Sequence, residues 1–156
     1  MYIVSNQAIA NQEAIGRQIF TLQHPGNQWT ENKDKFGQWD VSGSTRASGS
    51  INSSDKYIEI KARNIKSIDF FSTFLECKKY DQLMVLAKQT QTGKAFYFVT
   101  FTDNTALLFD LTNIKNIGRF KETKLMKEVT LEGQTKTILK EIYDLPLGLA
   151  VKKYKW

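Results

Sequence analysis

Hydrophobic and polar positions alternate most regularly across residues 56–64, "KYIEIKARN". Ile58 and Ile60 fall on one side of that pattern, and Tyr57, Glu59 and Lys61 on the other. Successive strand residues point to opposite faces, so the spacing predicts a β-strand with one apolar and one polar face. Upstream, residues 5–23 place Ile9, Ile15, Ile19 and Leu22 along one flank of an expected helix. Ser5 or Asn6 would cap it, and His24-Pro25-Gly26 would stop it. The stretch "NQWTENKDKFGQWDVSGS" predicts two short strands around a charged turn at residues 32–35, and the Ser/Gly-rich run that follows predicts a loop. Residues 70–90, "FFSTFLECKKYDQLMVLAKQT", read as a helix with Phe74, Cys77, Leu83, Leu86 and Ala87 at roughly helical spacing. "KAFYFVTFT" and "TALLFDLTN" are apolar strands separated by Asp103-Asn104, a hairpin signal. The segment 123–142 reads either as a hairpin about Glu132-Gly133 or as a strand followed by a helix. A central mixed β-sheet flanked by helices fits this order, so the expected class is α/β (α+β).

Composition narrows the setting. A chain of 156 residues is expected to form a single domain with a core of its own. Hydrophobic residues make up 41% and charged residues 24%, which is globular rather than disordered. No apolar run is long enough to span a bilayer, and the start lacks the charged and apolar regions of a secretory signal. Cys77 is the only cysteine, which excludes an intrachain disulfide and a cysteine-based zinc site. A reducing compartment, the cytoplasm, is the expectation. The formal charge of +6 favours a polyanionic partner, either nucleic acid or an anionic surface. Lysines and arginines gather at Lys33/Lys35, Lys61/Arg63/Lys66, Lys78/Lys79 and the tail "VKKYKW".

The candidate chemistry centres on carboxylates that can meet Glu59. Asp40, in "GQWDVSG", is expected at the end of a strand just before the Ser/Gly-rich loop. If that strand pairs with the Ile58 strand, Asp40 and Glu59 share a sheet face. Two carboxylates and the Ile60 carbonyl would make a hard oxygen site suited to Mg²⁺ or Mn²⁺. Lys61 would project beside such an ion, where it can stabilise charge on a phosphate or hold an attacking water. Glu13, on the first helix, would complete the set if that helix packs on the sheet edge. The chemistry implied is metal-assisted phosphodiester hydrolysis. The plain alternative for Glu59 and Lys61 is a solvated strand face with cross-strand pairing. A lone histidine, His24, excludes histidine-based nuclease motifs, and no Walker loop, G-x-G-x-x-G or G-x-S-x-G is present.

An acidic residue on a first helix (Glu13), an aspartate in "WDV" (Asp40), a variable loop and then "IEIK" (Ile58 to Lys61) together resemble the PD-(D/E)XK, restriction-endonuclease-like nuclease superfamily. The layout is most similar to its Holliday-junction resolvases and phage-type endonucleases. The resemblance spans about residues 6–112, leaving 113–156 as a C-terminal extension without an assigned role. Trp39 stands where the signature proline would be. What the resemblance implies is a Mg²⁺- or Mn²⁺-dependent endonuclease acting on duplex or branched DNA, with no membrane partner. Asp40, Glu59, the Ile60 carbonyl and Glu13 would hold the ion, and Lys61 would orient the water. By analogy with other branches, Gln82 would support the site. Lys33, Lys35, Arg46, Arg63 and Lys66 are the expected backbone-phosphate contacts, and a symmetric homodimer would present two sites to two strands. The rival expectation is a non-catalytic nucleic-acid-binding or assembly module on a decayed nuclease fold, which would bind DNA in a salt-sensitive way without cutting it.

Overall fold

The computed structural model describes the backbone of residues 6–23, 27–31, 41–45, 55–128 and 135–156, and side chains within 14–22, 56–128 and 135–156. Helix α1 (Asn6–Gln23) leads into strands β1 (Asn27–Glu31), β2 (Val41–Thr45) and β3 (Asp55–Ala62). Strand β4 (Ser72–Glu76) runs directly into helix α2 (Cys77–Ala87), followed by the hairpin β5 (Lys94–Thr100) and β6 (Thr105–Asp110). Strands β7 (Lys121–Lys127), β8 (Thr137–Pro146) and β9 (Lys152–Lys155) complete the order. Six strands form a mixed sheet in the order β1-β2-β3-β5-β6-β9, and β4-β8-β7 form a second, antiparallel sheet. Within the larger sheet β3 and β5 are the parallel pair, with Glu59 beside Tyr97 and Lys61 beside Val99. A parallel pair needs a crossover, which β4 and α2 supply.

Period-two patterning in β3 and β5 divides the core between the two faces of this sheet. On one face Ile58, Ile60, Phe98, Leu108 and Tyr154 pack with Phe20 of α1. On the other, Tyr97, Val99, Leu107 and Phe109 pack with Cys77, Leu83 and Ala87 of α2 and with Leu75, Tyr143 and Leu145 of the second sheet. Strand β6 is buried at every position, as a strand covered on both faces should be. Each fully buried side chain of the size of Ile58 or Leu83 contributes about 1.5–3 kcal/mol of transfer free energy. Burial pushes the Cys77 thiol above its ordinary value, so it packs rather than reacts.

Several expectations need correcting. The expected apolar flank of α1 holds only in part: Ile19 packs against the core, whereas Ile15 and Leu22 are 53% and 70% exposed. The stripe is rotated by one residue, about 100°, to Gly16 and Phe20. A Cβ at Gly16 would lie 2.9 Å from Ile60 Cγ2, so the missing side chain lets the helix lie against β3. One turn later Phe20 meets Phe98 edge-on at 5.1 Å. The Ser/Gly-rich loop is shortened by β2, which takes Ser42 to Thr45 into the sheet between β1 and β3. Ladder bonds on both sides outweigh the low strand propensity of Ser-Gly-Ser.

The single helix expected over residues 70–90 is a strand followed by a helix. Residues Thr73 and Leu75 are buried in strict alternation, and β4 pairs with β8 through Leu75 and Tyr143. The partner strand lies some seventy residues downstream in the chain, too far for a local pattern to show. Phe70 and Phe71, at the start of that stretch, are 56% and 96% exposed. Of the two readings for 123–142 the hairpin holds, with Leu125 opposite Leu139; Glu132-Gly133 lies outside the described residues. The tail also contributes β9, whose Ala106–Tyr154 register closes the far edge of the main sheet. Gly93 is required by a close approach: a Cβ there would sit 2.0 Å from the Ala87 carbonyl oxygen.

Candidate active site

Strand β3 presents Glu59, Lys61 and, just past its end, Arg63 to the face opposite Ile58 and Ile60. All three line one cleft of about 380 Å³, together with Tyr97 of β5 and Lys79 of α2. The second sheet closes it, through Phe74, Leu75 and Glu76 of β4, Met126 and Lys127 of β7 and Lys140 of β8. Among the described residues, two carboxylates and five cationic side chains therefore border one concavity. A cleft lined by one predominant sign of charge, between low-dielectric walls, focuses the field on an anionic ligand.

The Glu59 carboxylate is the buried end of this array. Its side chain is 15% exposed and Oε2 lies 3.4 Å from Lys79 Nζ. Lys79 reaches it from the first turn of α2 and is itself only 25% exposed. Across the cleft Lys140 donates to Glu76 Oε1 at 3.0 Å and to the Glu128 carbonyl at 3.1 Å, tying β8 to β4. The floor is a closed triangle of hydrogen bonds. Arg63 Nη2 donates to the Phe74 carbonyl at 2.6 Å and to Tyr97 Oη at 3.1 Å, and Tyr97 Oη donates to the same carbonyl at 3.0 Å. The guanidinium also lies 4.0 Å from the centre of the Phe74 ring. Burial raises the Tyr97 hydroxyl above its ordinary pKa against the opposing pull of Arg63, which keeps it a neutral donor.

Glu59 and Lys61 are thus brought together as expected, with Ile60 between them 2% exposed on the other face. Glu13 belongs to α1, but its side chain lies outside the described residues, as do Asp40, Lys33, Lys35 and Arg46. Among the described residues no three His, Cys, Asp or Glu side chains gather as a metal-binding group. Strand β2 pairs with β3 only as far as Val41 opposite Ile58, whereas β5 continues to Ala62 opposite Thr100. Gln82 is half-buried on α2 and is not among the residues lining the cleft. Lys66 is exposed in the turn after β3, where its backbone N–H donates to Asp69 at 3.0 Å. The Arg63 guanidinium, expected at a DNA phosphate, is engaged inside the protein.

Sequence reasoning noted Lys79 only as half of the basic pair Lys78/Lys79 and passed over Glu76, Lys127 and Lys140. A signal for Lys79 was present once α2 begins at Cys77. Lys78 and Lys79 then occupy a first turn that holds no acidic residue. Cations there oppose the helix dipole and call for a carboxylate from elsewhere, which Glu59 provides.

Neither a protein-family model nor a curated protein sequence matches the chain. Among solved structures it is similar to Hjc, a Holliday junction resolvase of the archaeal hyperthermophile Archaeoglobus fulgidus. The two share 13% identity and a TM-score of 0.49, over 86% of this chain and 90% of that one. No helix among the described residues is long and apolar enough to cross a membrane.

Proposed function

We propose that this chain is a metal-dependent endonuclease of restriction-endonuclease-like fold that hydrolyses phosphodiester bonds in DNA. The observation that carries the proposal is the placement of Glu59 and Lys61, two residues apart on β3, in one cation-rich cleft. The donor set suits a hard ion: Glu59 offers a carboxylate oxygen to the cleft, and among the described residues no thiol or imidazole lines it. In this reading Asp40, Glu13 and the Ile60 carbonyl join Glu59 in holding Mg²⁺ or Mn²⁺. The case for Asp40 comes from the register, because Val41 stands opposite Ile58, and Asp40 and Glu59 are the next residues along the two antiparallel chains. When bound, such an ion supplies positive charge to the phosphate and acidifies water.

The protein's own residues then divide the work. Lys61 faces the same cleft as Glu59 and is assigned to orient the attacking water and to neutralise charge building on a non-bridging phosphate oxygen. Lys127 stands on the cleft wall, where a backbone phosphate can reach it. Lys33, Lys35, Arg46 and Lys66 are assigned to other phosphates of the same DNA. Arg63 and Tyr97 shape the floor and hold β3 to β4. Cutting both strands of a duplex or a junction calls for two such clefts, which a symmetric pair of chains would present.

The test is cleavage of linear, nicked, single-stranded and four-way DNA with Mg²⁺ or Mn²⁺. Wild type is run beside Asp40→Ala and Lys61→Ala. The proposal expects metal-dependent cutting that both substitutions abolish, with DNA binding retained. Salt-sensitive binding with no cutting of any substrate would instead make the chain a binding module. Metal-dependent cutting that survives both substitutions would remove these residues from the mechanism.

A further inference from the structure

Glu59 and Lys79 form a contact that the proposed chemistry does not use. Glu59 Oε2 is shut away from solvent, and the cation 3.4 Å from it is a lysine anchored on a different element, α2. Both side chains line the cleft, so an ion reaching Glu59 there meets a carboxylate that already carries a cationic partner. The ion pair sets one positive charge against the carboxylate within the protein. Lys79 supplies that charge in the cation-free protein. A divalent ion on Glu59 would supply the same charge twice over, and two cations cannot share one carboxylate face without repulsion.

From this we infer that Lys79 is a built-in counter-cation, which a divalent metal must displace before Glu59 can coordinate it. The inference rests on the reading of Glu59 as a metal ligand and adds to it a residue that sets the affinity of the site. Lysine suits the role because its flexible four-carbon stem can swing aside while α2 stays packed through Cys77, Leu83 and Ala87. Lys79 then acts as a positioning residue. It holds the Glu59 carboxylate in place when no metal is present, and it raises the metal concentration at which the site fills.

The experiment is calorimetric titration of Mn²⁺ into the full chain without DNA, comparing wild type with Lys79→Met, Lys79→Gln, Lys79→Arg and Glu59→Gln. Thermal melts of the metal-free proteins confirm that each variant is folded. Removing the competing charge should tighten Mn²⁺ binding by about fivefold or more in Lys79→Met and Lys79→Gln, the scale of a partly buried ion pair. Lys79→Arg, which keeps the charge, should stay within about twofold of wild type. A structural role alone would not separate the charge-keeping variant from the neutral ones. If Glu59→Gln abolishes binding while both neutral variants bind as weakly as wild type or more weakly, the inference is overturned and the metal-site reading stands. Mn²⁺ binding unchanged in Glu59→Gln would overturn both.

Discussion

Arg63→Ala separates a structural arginine from a phosphate-binding one. The substitution removes a charge-assisted hydrogen bond to the Phe74 carbonyl at 2.6 Å, a second bond to Tyr97 Oη at 3.1 Å and the stacking contact with the Phe74 ring at 4.0 Å. A hydrogen bond from a charged donor contributes about 1.5–3 kcal/mol, and a cation–π contact of this kind roughly 0.5–2 kcal/mol. The Phe74 carbonyl still accepts from Tyr97 Oη at 3.0 Å, so it is not stranded and the losses do not simply add. The arginine is also partly exposed, which places the net cost near the lower end, about 2–3 kcal/mol. In a chain of this length that is a drop of about 5–10 °C in Tm. Arg63→Lys keeps the charge but not the planar fork and should lose about half as much. Urea unfolding followed by fluorescence gives both values at constant m. Wild-type stability in both variants, with weakened DNA binding and a shallower salt dependence, would refute the structural assignment and return Arg63 to the phosphate.

The two turns at the ends of β6 make separable predictions. Asp103 accepts from the Ser67 hydroxyl at 2.6 Å and from its backbone N–H at 3.1 Å, and these bonds hold its carboxyl below the usual aspartate range. Its folded pKa lies below its unfolded one, so its stabilisation is present above the ordinary value of about 4 and lost as pH falls through the folded value. Urea midpoints should therefore fall more steeply below about pH 5 in wild type than in Asp103→Asn; parallel curves would count against the assignment. Asp110, buried at the other end, accepts from the Thr112 backbone and hydroxyl and from Asn113 Nδ2 at 2.6 Å. Asp110→Ala should cost about 1–2 kcal/mol by urea unfolding, and a change below about 0.5 kcal/mol would mean that this cap is dispensable.

The features legible in the sequence were those carried by local periodicity. Ile58 and Ile60 against Glu59 and Lys61 defined β3 and its two faces, and Asp103-Asn104 marked the β5–β6 turn, where Asn104 adopts a φ of 56°. What was missed depends on partners distant in sequence. Phe74 and Leu75 read as helical until β8 supplies their ladder, and "VKKYKW" carries no strand signal strong enough without β6 beside it. The candidate site follows the same division. Glu59 and Lys61 could be paired by alternation within one strand. Lys79, Lys127 and Lys140 reach the cleft from three other elements, a convergence that only the tertiary packing creates. The internal bonds of Arg63 were hidden for the same reason, since its hydrogen-bond acceptors sit on β4 and β5.

The most direct test of the central claim is single-turnover DNA cleavage with Mg²⁺ by wild type, Glu59→Gln and Lys61→Met, with DNA affinity measured in parallel without metal. Removing a group that stabilises charge in the transition state costs about 100-fold to 1,000-fold in rate. Each variant should therefore lose cleavage by at least about 100-fold while binding DNA within about threefold of wild type. Cleavage by either variant at the wild-type rate would contradict the claim that this pair on β3 does the chemistry.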